Sequence, residues 1–289
     1  MKIARTIAEL REARKDMGRV AFVPTMGALH SGHLSLMTAA KELADHVVVS
    51  IFVNPTQFGP NEDFDRYPRQ LEKDTEACQS VGVDLLFVPT PDEMYPEGLE
   101  SSTFVEVLGL TDYLCGASRP GHFRGVTTVV TKLFNAVQPQ VAVFGQKDYQ
   151  QAAVIARMTR ELLMPIEIVA APTARESDGL AMSSRNYNLS PEARIEALAL
   201  SRSLKRAWSA FAAGESNGSV LVALTRDTLQ EGLRDASRID YVDCVDPITL
   251  EPSASIGEVG AVMCVAAHVG GVRLIDNIRL DKPLPHELQ

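Results

Sequence analysis

The sequence predicts an α/β fold, in which a parallel β-sheet carries helices on both faces and a smaller α+β domain follows it. Two observations support this prediction. Up to Pro172 the chain alternates short β-branched runs with helix-period segments, which is the order of a parallel sheet with crossover helices. After Pro172 the order changes to two helical segments followed by three strand-like runs, so we expect domains at 1–173 and 174–289.

Each element of the first domain is predicted from its own pattern. Short apolar runs bounded by proline, glycine or polar residues predict buried strands. These strands are expected over 19–24, 47–53, 83–88, 141–144 and 166–170. Apolar residues that recur every three or four positions predict helices. These helices are expected over 34–44, 68–81, 126–137 and around 155–162.

The second domain is predicted from the same two patterns in a different order. Its helices are expected over 190–213 and 220–236, and its strands over 239–245, 261–267 and 272–278. In the first domain, right-handed crossovers bring every strand-to-helix loop to one edge of a Rossmann-like sheet. We therefore expect the loops 24–33, 54–68 and 145–151 to converge at that edge.

The composition restricts the classes of function. The chain has 289 residues and a formal net charge of −9, which argues against a nucleic-acid backbone as the main partner. Its longest apolar run, Val47–Val53, is far shorter than the roughly 20 residues that a membrane span needs. The four cysteines are scattered, with no Cys/His cluster at metal spacing. We therefore expect a cytoplasmic protein with reduced thiols and no metal-ligating residues.

A histidine pair follows the first predicted strand. His30 and His33 are three residues apart at a predicted helix start, so they lie on one side of its first turn. A helix N-terminus favours anions, and imidazoles there can donate to phosphate oxygens. Gly27 lets the backbone approach a ligand closely, and Ser31 or a neighbour can cap the helix. The alternative is a pair of capping or packing histidines, but the strand–glycine–helix context favours the phosphate site.

Two further segments with polar side chains follow predicted strands. Asn54 and Gln57 offer neutral donors and acceptors suited to hydroxyl or carboxylate groups, although they can equally satisfy the backbone of a turn. Lys147 can reach a phosphate, and Asp148 can cap the next helix or contact a ribose hydroxyl. Gln151 lies on the inward stripe of that helix. A helix start with a solvated lysine is the alternative for this segment.

Two loops carry arginine. Ser183, Ser184 and Arg185 place two hydroxyls and a guanidinium in succession, which would make a phosphate clamp on a loop between domains that can close. A surface loop without a function is the alternative. In the other loop, Arg119 and Arg124 flank a histidine among glycines before a helix. That segment either binds anions or only shapes the loop.

Together these segments resemble the pantoate–β-alanine ligase family. This family lies in a superfamily with an H-x-G-H motif that includes nucleotidylyltransferases and class I aminoacyl-tRNA synthetases. The resemblance covers nearly the whole chain. It rests on five ordered segments and a C-terminal ending, namely 23–27 with His30 and His33, 50–55 with Gln57, 119–125, 144–148 with Gln150 and Gln151, 178–186, and 274–277.

The resemblance implies an ATP-dependent ligation in two steps. The pantoate carboxylate attacks the α-phosphorus of Mg²⁺-bound ATP, which gives pantoyl adenylate and pyrophosphate. The amine of β-alanine then displaces AMP and forms the amide of pantothenate. The family resemblance further implies a homodimer, and a smaller domain that closes over the active site would keep the reactive adenylate from water.

The same resemblance assigns site residues by their position in the sequence. The implied catalytic residues are His33 as proton donor, His30, Lys147 and Arg185. The implied nucleotide-binding residues are Met26, Gly27, Ala28, Leu29, His30, Ser31, Gly32, His33, Gly145, Gln146, Lys147, Asp148, Ala174, Met182, Ser183, Ser184 and Arg185. Gln57 and Gln151 are implied to hold pantoate, and Gln57 also to border β-alanine. Asn54 is added to this substrate group as the second neutral amide of its segment.

Two alternative functions remain open from the sequence. A nucleotidylyltransferase of the same superfamily would join a phosphorylated substrate to the nucleotide and would release no AMP. A non-catalytic adenine-nucleotide sensor would bind ATP without showing pantoate-dependent pyrophosphate exchange.

Overall fold

A computed structural model describes residues 1–60, 62, 64–99 and 102–288, so Asn61 and Asp63 of the predicted 54–68 loop lie outside the described residues. The chain forms two compact units. The first unit consists of Met1–Thr111, Arg119–Gln146 and Gln151–Pro172, and the second of Asp112–Ser118, Lys147–Gln150 and Thr173–Gln289. The main division thus follows Pro172, but two short earlier segments belong to the second unit, which the sequence pattern does not indicate.

The first unit contains a six-stranded sheet in which every pair of neighbours is parallel. Its strands are β1 (Lys2–Ala4), β2 (Val20–Thr25), β3 (His46–Ile51), β4 (Leu85–Phe87), β5 (Val141–Gly145) and β6 (Glu167–Ala171), in the spatial order β1-β4-β3-β2-β5-β6. The chain runs outward from β2 to β3 and β4, and later returns to the other side of β2 as β5. Ligands of such sheets bind where the strand order reverses, at the carboxyl ends of the strands.

Helices cover both faces of this sheet because their apolar stripes pack on its buried strands. The α-helices up to Pro172 are α1 (Ile7–Arg14), α2 (Ser31–Leu43), α3 (Leu71–Ser80), α4 (Pro91–Met94), α5 (Leu114–Ser118), α6 (His122–Val137) and α7 (Tyr149–Glu161), of which α5 belongs to the second unit. One apolar cluster joins α2 and α3 to the sheet through Met37, Ala40 and Cys78. A second contact stacks Phe134 of α6 edge-on between Phe22 and Phe144, at centroid distances of 6.3 and 6.4 Å.

The second unit packs two long helices on a three-stranded antiparallel sheet. Its elements are α8 (Pro191–Ala212), α9 (Gly218–Gly232), β7 (Arg238–Val245), β8 (Val262–Val269) and β9 (Val272–Arg279), with the strands in the order β7-β8-β9. Leu200, Leu204 and Leu221 of the helices meet Val265 and Ala267 of the central strand in one buried cluster. This apolar layer holds β9 in place, and β9 carries the polar residues described below.

The predicted fold class is confirmed by this architecture and by its match to solved structures given below. Three helices begin earlier than their apolar stripes indicate, at Ser31, His122 and Tyr149, because their first turns carry no complete apolar period. The strand β1 and helix α1 have no counterpart in the sequence prediction. Within the described part of the chain, no helix combines the length and apolar character needed to cross a membrane.

Candidate active site

The loop after β2 is held in an unusual backbone conformation by a buried carboxylate. Gly27 and Ala28 have φ angles of 80° and 51°, in the left-handed region. Asp74 of α3 accepts hydrogen bonds from the backbone N–H of Ala28 at 2.9 Å and of Leu29 at 2.8 Å. A Cβ at position 27 would lie 2.9 Å from Asp74 Oδ2, so glycine is required both for its φ angle and for space. Asp74 therefore fixes the loop that leads into the histidine pair.

The histidine pair caps α2 through one nitrogen of each ring. His30 Nδ1 accepts from the N–H of Gly32 at 3.2 Å, and His33 Nδ1 accepts from the N–H of His30 at 3.4 Å. The two ring centroids are 4.1 Å apart. An imidazole that accepts at Nδ1 carries its proton on Nε2 when it is neutral, so these contacts assign an Nε2–H donor to both rings. His30, rather than Ser31, is the cap, and capping is compatible with donation to a phosphate.

The loop after β3 forms a buried amide network around Asn54 and Gln57. Asn54 Nδ2 donates to the carbonyl of Gly125 at 3.1 Å and to Gln57 Oε1 at 3.3 Å. Asn54 Oδ1 accepts from the Tyr95 hydroxyl at 2.7 Å, and burial raises the pKa of Tyr95, which keeps that hydroxyl a donor. Gln57 Nε2 donates to Met26 Sδ at 2.9 Å. The predicted residues of two neighbouring loops are thus brought into contact.

The loop from 119 to 125 holds the backbone of Gln57. Arg119 Nε donates to Glu62 Oε1 at 2.7 Å, and its Nη1 lies 3.0 Å from His122 Nε2. His122 Nδ1 in turn lies 2.8 Å from the carbonyl oxygen of Gln57. Burial raises the pKa of the Glu62 carboxyl, but the hydrogen bonds and charge of Arg119 outweigh it, so this pKa lies below its usual value. Of the two open interpretations, these contacts favour a loop-shaping role for Arg119.

Gly125 leaves no room for a side chain against the loop it supports. A Cβ there would lie 2.7 Å from Gln57 Cα and would also clash with the carbonyl group of Thr56. Both neighbours are backbone atoms. We expect Gly125→Ala to lower the free energy of unfolding by about 1–3 kcal/mol, the range for overpacking.

Urea unfolding of the Gly125→Ala variant measures this effect. Gly257→Ala is the matched control, because a Cβ at position 257 meets no atom within 4 Å and the glycine there does not need a left-handed φ angle. Equal stability of the two variants would contradict the steric argument.

In the second unit, Lys147 lies in a short 3-10 turn, Gln146–Asp148, that precedes α7. Its ammonium is 3.5 Å from Asp148 Oδ2, and its main-chain carbonyl accepts from Asn277 Nδ2 at 2.8 Å. Gln150 is buried and donates to the carbonyl of Tyr113 at 2.7 Å. Gly145, Gln146 and Gln151 belong to the first unit, whereas Lys147 and Asp148 are described with the second.

The segment with Met182, Ser183, Ser184 and Arg185 is a tightly bonded hairpin and turn. The N–H of Met182 donates to the carbonyl of Ala174 at 2.9 Å, so the two predicted backbone positions are partners. Ser183 Oγ accepts from the N–H of Arg185 at 3.2 Å and caps the 3-10 turn Ser184–Asn188. The structure therefore gives this arginine a defined backbone position.

A charge cluster at the turn of the hairpin holds it further. Arg194 donates to Glu176 Oε2 at 2.9 Å and to Asp178 Oδ2 at 2.6 Å, while Asn186 donates to Glu176 Oε1 at 3.0 Å. Glu176, Arg194, Asp74 and Tyr95 were not predicted from the sequence, whereas Asp178 and Asn186 are the ends of the segment 178–186. The sequence does contain an indication for Asp74, because this residue lies four positions before Cys78, on the buried side of its helix.

The chemistry open to these residues is the binding and alignment of anions and small polar groups. The Nε2–H groups of His30 and His33 stand at the N-terminus of α2, where the helix dipole also favours anions. Gln57 and Asn54 supply oriented neutral amides, and Gln57 contacts Met26 of the loop that leads to the histidine pair. Among the described residues, no group of three or more His, Cys, Asp or Glu side chains is placed to hold a metal ion.

The chain is similar over almost its full length to proteins of one family. A sequence model described as pantoate-beta-alanine ligase matches residues 2–279. Pantothenate synthetase 1 from Bradyrhizobium diazoefficiens is 55% identical over 284 residues, which cover 97% of this chain and 98% of that relative. Pantothenate synthetase from Pelotomaculum thermopropionicum is 54% identical over 281 residues, covering 96% and 98%.

Solved structures agree with this similarity. The crystal structure of pantothenate synthetase from Thermus thermophilus has a TM-score of 0.91 and 48% identity, covering 97% of this chain and 99% of that one. Pantoate-beta-alanine ligase from Francisella tularensis, in a complex with beta-gamma ATP and beta-alanine, has a TM-score of 0.78 and 34% identity, covering 98% and 99%. The resemblance inferred from the sequence motifs is confirmed. The chain belongs to the pantoate–β-alanine ligase family.

Proposed function

We propose that the protein condenses pantoate with β-alanine at the expense of ATP, through a pantoyl adenylate, and releases AMP and pyrophosphate. The observation that carries this proposal is the contact between Gln57 and Met26. It joins a buried amide pair, suited to a small hydroxy acid, to the loop that begins the histidine-capped N-terminus of α2, suited to phosphate. The family membership of the chain supports the same reaction.

In this proposal the ATP site is built from donors and from backbone. His33 is the proton donor, and His30, Lys147 and Arg185 stabilise charge on the phosphates. The other nucleotide-binding residues are Met26, Gly27, Ala28, Leu29, Ser31, Gly32, Gly145, Gln146, Asp148, Ala174, Met182, Ser183 and Ser184. Adenylation needs no protein nucleophile, since alignment and stabilisation of the charge that develops on phosphate oxygens are sufficient.

We assign pantoate to the amide group of Gln57, Gln151 and Asn54, with Gln57 also bordering β-alanine. Two contacts support the assignment of Gln57. Its Oε1 accepts from Asn54 and its Nε2 donates to Met26, so the amide has one orientation in the described structure. A fixed amide binds the carboxylate or hydroxyl group of a substrate more tightly than a rotating one, because less entropy is lost on binding.

Mg²⁺ is proposed to arrive as the Mg²⁺–ATP complex. The described residues provide no cluster of three ligands, and Mg²⁺ is usually bound through substrate phosphates with few protein ligands. The ion neutralises part of the negative charge on the phosphates. The chain as a whole cannot do so, because its own net charge is −9. We also propose the cytoplasm as the compartment, which the four cysteines support as reduced thiols.

A homodimer is proposed as the functional assembly. The first unit exposes large apolar side chains, with Leu108 73% and Leu163 87% exposed. A second copy of the chain would cover such residues at an isologous interface. Sedimentation equilibrium tests this assembly, and a monomer at assay concentrations would contradict it.

The proposed reaction is tested by ATP–pyrophosphate exchange with and without pantoate, followed by addition of β-alanine. Pantoate-dependent exchange and β-alanine-dependent release of AMP are expected. A nucleotide-capped product without AMP would instead identify a nucleotidylyltransferase. ATP binding without any exchange would identify a nucleotide sensor.

Replacement of Gln57 tests the pantoate site. We expect Gln57→Ala to raise the KM for pantoate at least tenfold with a smaller change in the KM for ATP, because the lost amide faces the smaller substrate. Initial rates of pyrophosphate exchange measure both constants. Gln230→Ala, at an exposed position of α9, is the matched control. A KM for pantoate that does not change in the Gln57→Ala variant would remove this assignment.

A further inference from the structure

Strand β9 carries two adjacent buried polar residues in the second unit. Asp276 is 3% and Asn277 is 5% exposed. On the neighbouring strand β8, they stand opposite Val265 and Cys264. Polar groups at such positions stabilise a protein less than apolar side chains unless they are well bonded. The hydrogen-bond partners of Asp276 and Asn277 therefore indicate the role of these two residues.

Asp276 anchors the hairpin that leads to Met182. Its two carboxylate oxygens accept from Arg175 Nη1 at 2.7 Å and Nη2 at 2.9 Å, and both side chains are almost completely buried. Arg175 Nη1 also donates to the carbonyl of Gly179 at 3.0 Å, across the turn of the hairpin. Arg175 and Ala181 form an isolated antiparallel bridge. The ion pair thus fixes the hairpin from its first strand to its turn.

Asn277 anchors the turn that contains Lys147. Its Nδ2 donates to the main-chain carbonyl of Lys147 at 2.8 Å, although the two residues are 130 positions apart in the sequence. The next residue but one, Arg279, lies 3.5 Å from the hydroxyl of Tyr149. Tyr149 directly follows the turn Gln146–Asp148, and its hydroxyl donates to the carbonyl of Pro247 at 3.0 Å. Successive residues of one strand therefore hold two different segments.

We propose that Asn277 is a positioning residue for Lys147, and that the Asp276–Asn277 pair sets the spacing between Lys147 and the Met182–Arg185 turn. This inference rests on the proposed function, in which both segments bind the phosphates of ATP. Two cationic segments that must follow one triphosphate need a common rigid support, and adjacent residues of one strand keep a nearly constant separation. Asn277 acts through the backbone of Lys147.

The Asn277→Asp variant tests this role, because it keeps the size of the side chain and removes the donor. We expect the kcat of pantoate-dependent pyrophosphate exchange to fall about 10–100-fold, since misplacement by 1 Å can cost about 10²-fold. The KM for pantoate should stay within twofold. Asn135→Asp is the matched control, because Asn135 also donates to a main-chain carbonyl, that of Thr131 at 2.9 Å, but at an exposed site.

A purely structural role gives a different result. It would lower the melting temperature and the active fraction of the enzyme, while kcat per folded active site stayed normal, and that result would overturn the inference. If the buried carboxylate prevents folding, Asn277→Ala provides the same measurement without a new charge.

A double-mutant cycle with Lys147→Ala separates this inference from the proposed function. If Asn277 acts through Lys147, the double variant should be no more than about twofold slower than Lys147→Ala alone, because residues that act as a unit are not additive. Effects that multiply would overturn the positioning role and leave the role of Lys147 intact. Near-normal activity of Lys147→Ala alone would overturn the proposed role of Lys147, and the inference with it.

Discussion

Lys147→Ala is expected to lower the turnover of adenylate formation by about 10²–10³-fold, which corresponds to roughly 2.7–4 kcal/mol of transition-state stabilisation. The proposed reaction moves negative charge onto phosphate oxygens, and an ammonium placed there stabilises the transition state more than the ground state. In the structure this ammonium lies 3.5 Å from a carboxylate of the next residue, Asp148, and is mostly shielded from solvent. His33→Ala should cause a loss of similar size, because it removes the proposed proton donor.

Pre-steady-state formation of pyrophosphate measures this loss without interference from product release. Lys15→Ala, at an exposed position at the end of α1, is the matched control and should retain full activity. If Lys147→Ala and His33→Ala both fold normally and both retain near-full turnover, the assignment of these residues to the phosphates is wrong.

Asp276→Ala is expected to lower the free energy of unfolding by about 3–5 kcal/mol, the range measured when one member of a buried ion pair is removed. The guanidinium of Arg175 would remain buried, with its bidentate partner lost, and its Nε already has no hydrogen-bond partner among the described residues. Burial of an uncompensated charge is among the largest penalties that a single substitution can produce.

Urea unfolding followed by circular dichroism measures this difference. Glu161→Ala removes a surface ion pair with Arg157 and should change the stability by less than about 1 kcal/mol. A combined replacement, Asp276→Leu with Arg175→Met, should recover much of the stability, because an apolar pair of similar size removes the unpaired charge. If Asp276→Ala is no less stable than Glu161→Ala, the ion pair does not contribute to stability as argued.

The sheets could be predicted because their strands are encoded locally. Val47–Val53 and the other apolar runs are too short for helices and are rich in β-branched residues, which fit a buried parallel sheet. Strand β1 has only three residues and α1 only eight, so neither contains enough of a period to be distinguished from a loop. The observed start of α2 precedes the predicted one for the related reason that its polar first turn is defined by a cap, His30.

The candidate site could be predicted only as a set of loops. The polar residue types in the loops after β2 and β3 indicated anion and amide chemistry. The groups that support them are remote in sequence, since Asp74 is 46 positions from Ala28 and Asp276 is 101 positions from Arg175. No local pattern specifies which distant carboxylate meets which N–H or guanidinium, and that pairing is fixed only when the chain packs. The capping role of the histidine rings is likewise not fixed by the local sequence, because it depends on which ring nitrogen faces the backbone.

The composition of the second unit has a consequence for protein engineering. This unit includes Asp112–Ser118 and Lys147–Gln150 in addition to the residues from Thr173 onward. A fragment or chimaera cut once at position 173 would therefore lose Cys115 as a neighbour of Tyr241, and Tyr149 as a donor to Pro247. Recombination of this unit between homologues should exchange all three stretches together, with Asn277 and Lys147 taken from the same parent.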